Sequence, residues 1–263
     1  EEKFSVYHEC KYGIGVGNCT DAITIALKAL DVGLGDEVIT TSNTAVPTVT
    51  AIVNTGASVR FVDINEYSLM NVSKITSSIS KKTKAIIPVH LYGQMCEMDE
   101  IMKIAKKNNL KVIEDCAQAH GATYKGKKAG SIGDVGCYSF YPTKILGAYG
   151  DGGFILTNDY NAYKQIKRIR FYGIETVQQS NFKNKYYANE NGINSRLDEI
   201  QATILNFKLK KIDEFIKKRR KLAKRYITKL SSSNINIPVE NLSCKHVYHL
   251  FTVDHPKAHK ITK

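Results

Sequence analysis

The stretch KAIIPVHLYGQMCEMDEIMKIAKKNNLKVIEDCAQAHGA, Lys84–Ala122, decides the fold. Its apolar run Lys84–His90 reads as a strand, Met98–Lys107 as a helix, and Leu110–Asp115 as a second strand. Two strands joined through a helix pair in parallel, because a parallel neighbour needs a long crossover rather than a hairpin. Working outward, the rhythm repeats. Upstream lie the helix Thr20–Leu30, with Ile23, Leu27 and Leu30 on one face and Thr20 or Asn18 to cap it, then the strand Glu37–Thr40. A helix over Ala45–Asn54 and a strand over Ser58–Ile64 follow. Downstream, Val135–Tyr141 and Gly152–Asn158 read as strands and Asp159–Arg170 as a helix. The expectation is an α/β fold, a mostly parallel sheet flanked by helices on both faces.

The polar stretch 174–191 reads as a long surface loop, and Ser195–Leu230 as one long helix. Beyond it, NINIPVE (Asn234–Glu240) and HVYHLFTV (His246–Val253) read as strands of a smaller α+β domain that the chain does not finish. The expected division is a large domain over 1–213 and the start of a small C-terminal domain over 214–263. The chain opens on Glu1 rather than Met and is expected to be a piece of a longer protein.

With 263 residues, 43% hydrophobic and 24% charged, the composition excludes collagen, a disordered tail and a disulfide miniprotein. No apolar run approaches the roughly 20 residues that cross a bilayer, so no membrane partner is expected. The six cysteines form no CxxC pair and sit in apolar segments, which points to reduced buried thiols, no metal site, and the cytoplasm. The formal charge of +13 suits a phosphorylated ligand as well as nucleic acid. Much of it lies in Lys208–Lys229, where apolar residues recur at near-helical spacing; a solvated basic helix face accounts for this, and no nucleic-acid motif accompanies it.

In parallel sheets the ligand sits beyond the carboxyl ends of the strands, and four segments fall there. In GVGNCTDA (Gly15–Ala22) a strand runs into a helix start whose N–H groups can hold a phosphate, or which is simply a capped turn. In IEDCAQAHGA (Ile113–Ala122), Asp115 ends an apolar strand, where it can face a cation such as a protonated pyridine nitrogen or cap the next helix. Gln118 can reach the same ligand, and His120 reads as a structural histidine before an acid or base. In CYSFYPTKILGAYGDGG (Cys137–Gly153), Lys144 lies among apolar neighbours that lower a lysine pKa and free the amine to form a Schiff base, and Ser139 offers a hydroxyl. In ENGINSRLDEIQATIL (Glu190–Leu205), Asn194 precedes an amphipathic helix and reads equally as its cap.

Together GNCTDAI, GDEVITTSNTAVPT, KAIIPVHLYGQ, IEDCAQAHGA, SFYPTK, GDGG and GINSRLDEIQA, in this order, resemble the DegT/DnrJ/EryC1/StrS family of pyridoxal-phosphate-dependent sugar aminotransferases. The resemblance spans roughly Gly13 to Tyr248. It implies a type I aminotransferase fold and a homodimer with shared active sites. The implied reaction moves an amino group, from glutamate, to a nucleotide-linked (dTDP or UDP) keto-6-deoxyhexose, in amino-sugar biosynthesis. Lys144 then matches the lysine that bonds the cofactor, Asp115 the carboxylate facing the ring nitrogen, and Gln118 the amide near the ring hydroxyl. Thr20, Asp21 and Ser139 match the phosphate site, and Asn194 a residue reaching the neighbouring subunit's phosphate. Relatives usually carry Gly where Cys19 stands, and many an aromatic where Ala45 stands; the small residue leans towards amination at C-3 over C-4. The alternative is a family member working as a sugar dehydratase or a regulator, which some relatives mark with His at the lysine position.

Overall fold

The computed structural model describes residues 1–174, 187–255 and 257–258. Seven strands form the main sheet: β1 (Tyr12–Val16), β2 (Glu37–Thr41), β3 (Ser58–Val62), β4 (Thr83–Ile87), β5 (Lys111–Asp115), β8 (Val135–Ser139) and β9 (Gly153–Thr157). Short strands β6 (Thr123–Tyr124), β7 (Lys127–Lys128) and β10 (Cys244–Lys245) make a second sheet. The helices are α1 (Glu2–Tyr7), α2 (Cys19–Ala29), α3 (Val46–Val53), α4 (Ile75–Ser78), α5 (Met98–Asn108), α6 (Tyr160–Ile169), α7 (Glu199–Leu209) and α8 (Ile212–Leu230). No helix among the described residues is long and apolar enough to cross a membrane.

The large sheet runs in the order β1-β9-β8-β5-β4-β2-β3. Only β9 opposes its neighbours, pairing antiparallel with β1 and β8, while β8, β5, β4, β2 and β3 pair in parallel. Burial explains the parallel centre. Ile86, Ile87, Val112 and Ile113 are all fully buried, as strands covered on both faces must be. The carboxyl ends of β4, β5 and β8 therefore open on one side, where the reversed β9 begins.

Local chemistry sets the helices. The Asn18 side chain accepts from the Asp21 N–H at 2.8 Å and starts α2, whose Ile23, Ile25 and Leu27 are buried. Helix α5 carries Asp99 and Glu100 in its first turn, Lys106 and Lys107 in its last, and stops at Asn109 in the left-handed conformation. Gly153 lets β9 pass α2 closely, since a Cβ there would lie 2.4 Å from the Asn18 carbonyl carbon.

Two expectations need correction. The segment expected as one helix over Ser195–Leu230 is two, α7 beginning only at Glu199 and α8 starting after Lys211. Leu205, Ile212 and Ile216 are buried at spacings that continue straight through the break, so periodicity carries no sign of it. The second is HVYHLFTV, which forms no strand. Its carbonyls at His246, Tyr248 and His249 accept from Arg219 and Arg220 of α8 instead of from a neighbouring strand. NINIPVE contributes only an isolated pairing of Asn236 with Asp254. The loop expected over 174–191 lies largely outside the described residues.

Candidate active site

At the carboxyl ends of the strands lies a cavity of about 580 Å³. Lys144, Asp115, Gln118, Ser139, Thr20 and Asp21 all line it, drawn from three separate parts of the chain. Asn194 does not. It is exposed on the segment joining α6 to α7, pinned by the Ile193 N–H on Ile169, the Ser195 N–H on Arg170 and a bridge to Phe171.

Strand alternation separates two adjacent carboxylates. Glu114 and Asp115 end β5 on opposite faces. Glu114 turns away from the cavity and accepts from the N–H groups of Gly130, Ile132 and Gly133 and from His90 Nε2 at 2.8 Å. The Cys96 N–H points at His90 Nδ1, which requires a lone pair there; although the carboxylate pulls the ring's pKa upward, this N–H geometry marks the ring as neutral, donating through Nε2. His90, Glu114 and Cys116 place donor atoms within 4.8 Å of one another, but Glu114's oxygens are already bonded and burial holds the Cys116 thiol protonated. That trio is structural.

Asp115 faces the cavity, only 5% exposed. Thr48 donates to one of its oxygens at 2.7 Å and the Ala117 N–H to the other at 3.1 Å. Burial raises its pKa, and these two donors oppose the rise. Lys144 sits in the turn after β8, its N–H on the Tyr141 carbonyl. Burial lowers its pKa, while Asp115 pulls the other way. An amine whose pKa burial lowers thus shares a cavity with a carboxylate held by Thr48 and the Ala117 N–H.

The start of α2 suits an anion. The Asp21 N–H and Ala22 N–H bond Asn18, leaving the N–H groups of Cys19 and Thr20 without partners in the helix. Ser139 brings its hydroxyl from the end of β8. Asp21 itself is differently engaged: its carboxylate accepts from the Ser195 hydroxyl at 2.6 Å. The Gln118 carbonyl accepts from the Tyr92 N–H at 2.7 Å, which fixes the amide and leaves its NH2 group to donate. The wall at Ala45 is built of small and aliphatic groups, with Pro47, Val89 and Leu91 beside it.

An anion-binding helix start, a buried carboxylate needing a cation and a desolvated amine in one cavity fit pyridoxal phosphate: a phosphate, a ring nitrogen that takes a proton, and an aldehyde. The donor set matches the group at each of its three functional points.

Thr48 was not singled out from the sequence. Its signal is faint: a threonine just after Pro47 at a helix start, which can aim its hydroxyl back beyond the helix end. Thr48→Val keeps the shape and removes the donor. The carboxylate then loses one of two stabilising bonds, so its pKa rises further and a higher pH is needed to ionise it. We expect turnover to fall roughly 10- to 100-fold, with the acidic limb of the pH–rate profile moved upward. An unmoved limb would show that Thr48 does not act through Asp115.

The family model for the DegT/DnrJ/EryC1/StrS aminotransferases matches residues 1–263. The chain is 43% identical, over 100% of its own length and 70% of the relative's, to a dTDP-3-amino-3,4,6-trideoxy-alpha-D-glucose transaminase of Micromonospora megalomicea. Among solved structures it resembles DesV of S. venezuelae in complex with a ketimine intermediate, at 36% identity and TM-score 0.93, covering 99% of this chain and 69% of that one. It also resembles NtdA of Bacillus subtilis with bound cofactor PMP, at 35% identity and TM-score 0.88, covering 99% and 59%. The α/β fold with a mostly parallel sheet is that of these aminotransferases. The chain belongs to the DegT/DnrJ/EryC1/StrS aminotransferase family.

Proposed function

We propose that the protein is a pyridoxal-phosphate-dependent transaminase that moves an amino group from glutamate to a nucleotide-linked keto-deoxysugar. The observation that carries this reading is the meeting of Lys144, Asp115 and the start of α2 around one cavity. When bound, pyridoxal phosphate supplies an electron sink for the carbanion formed at the carbon bearing nitrogen. The protein's own groups do the rest. Asp115, its ionised form favoured by the bonds from Thr48 and the Ala117 N–H, holds a proton on the ring nitrogen. Lys144 would hold the aldehyde carbon of the cofactor and carry the proton to and from the reacting carbon. The Gln118 NH2 group donates to the ring hydroxyl. The Cys19 and Thr20 N–H groups and the Ser139 hydroxyl hold the phosphate, Thr20 adding its own hydroxyl. Asp21 supports that cradle through Ser195.

Exposed Asn194 reaches the phosphate of a second copy, so the working unit is a homodimer with shared sites. Residues 1–213 form the cofactor domain, and 214–263 begin the smaller one. The small wall at Ala45 and the 3-amino sugar in the relative's name favour amination at C-3. Five buried thiols and one half-buried, all free, support a reducing compartment, the cytoplasm. The dehydratase reading is disfavoured by the lysine standing at position 144.

The test supplies the protein with pyridoxal phosphate, glutamate and a series of dTDP- and UDP-linked 3-keto and 4-keto deoxysugars. We expect release of 2-oxoglutarate and a sugar carrying nitrogen in place of the keto oxygen, most strongly with the 3-keto series. A protein that binds the cofactor but aminates none of them would overturn the transaminase reading.

A further inference from the structure

Segment 193–208 touches the loops around the cavity at several points. Leu197 packs against Gly15 and Gly152, so closely that a Cβ on either would lie 2.9 Å from it. The Gln201 side-chain Oε1 accepts from the Tyr149 N–H at 2.8 Å, and Lys208 Nζ donates to the Gly147 backbone carbonyl at 2.6 Å. The innermost contact is Ser195, 1% exposed. Its hydroxyl donates to Asp21 Oδ2 at 2.6 Å and accepts from the Gly17 N–H at 2.9 Å. One buried hydroxyl thus joins the turn before α2, the first turn of α2, and the residue next to Asn194.

A carboxylate in the first turn repels a phosphate beside it unless it is turned aside. The Ser195 hydroxyl holds it in place, tying Asp21 Oδ2 to the Gly17 N–H. Asp21 then acts through its bond to Ser195 rather than on the phosphate.

We propose that Ser195 is a positioning residue that locks the phosphate cradle of its own copy to the arm carrying Asn194, so that cofactor binding in one copy and the contact offered to the other are set together. This rests on the reading under Proposed function, in which Asn194 serves the neighbouring site. The full chain and its Ser195→Ala, Ser195→Thr, Asp21→Ala and Ser195→Ala/Asp21→Ala variants are titrated with pyridoxal phosphate by visible absorbance. Self-association is followed by sedimentation with and without the cofactor.

We expect Ser195→Ala to weaken cofactor binding roughly 10- to 100-fold. Ser195→Thr, which keeps the hydroxyl, stays within a few-fold of the parent, and the double variant binds no worse than the weaker single, as for two residues acting through one bond. The cofactor tightens self-association of the parent and loses most of that effect in Ser195→Ala. Additive losses in the double variant, or a Ser195→Ala affinity within twofold of the parent, overturn the inference. Should Ser195→Ala not fold, Ser195→Cys replaces the hydroxyl by a much weaker donor without touching the Asp21 charge, and unchanged affinity there has the same consequence. If the parent itself develops no visible band with the cofactor, the transaminase reading fails first.

Discussion

Lys144→Ala is expected to abolish the visible absorption band that the parent develops with pyridoxal phosphate, and to lower turnover by roughly a thousandfold or more. Two tasks rest on one amine: the covalent hold on the aldehyde and the movement of the proton. The setting supports both, because burial lowers the lysine's pKa against the opposing pull of Asp115. Alanine removes the amine and leaves the phosphate contacts of α2 and Ser139 in place, so weakened but measurable cofactor binding remains. The check is a spectral titration beside single-turnover kinetics with glutamate. An unchanged band in the variant would place the covalent bond on another lysine.

Asp115→Asn is the second large effect. Asparagine keeps an acceptor for Thr48 but carries no charge, so nothing holds a proton on the ring nitrogen. Loss of preorganised charge at a reacting centre costs roughly 100- to 1000-fold in turnover, and we expect a decrease in that range. A second readout separates this from damage to the fold. In the parent, a cation held against Asp115 offsets the burial that raises its pKa, so added cofactor raises thermal stability. In Asp115→Asn that gain should shrink, while the cofactor-free variant unfolds near the parent's temperature. Full turnover in the variant would remove the carboxylate from the mechanism.

The alternation of apolar runs and amphipathic helices was enough to place the main-sheet strands and the helices α2, α3, α5 and α6 over residues 19–169, with ends displaced by no more than three residues, whereas the short α4, β6 and β7 carried no such signal. Such signals are local: a strand buried on both faces must be apolar throughout, and a capped helix announces its start. The C-terminal third was harder, because its structure depends on distant groups. The HVYHLFTV run has strand-like composition, yet arginines on a helix satisfy its carbonyls, and no spacing along the chain records that. The break between α7 and α8 is equally hidden, as the buried positions keep one period across it.

Taken alone, the sequence determined the layered α/β architecture, the strand ends where chemistry gathers, and the residue types able to hold a phosphorylated pyridine there. Only the tertiary structure decided that Glu114 bonds His90 on the other face, that Thr48 lies against Asp115, and that Asp21 bonds Ser195 across 174 positions of chain. The reason is physical. Periodicity and capping act over a few neighbouring residues, whereas the partners of a buried polar group are chosen by how separate segments pack, and each such group must find one.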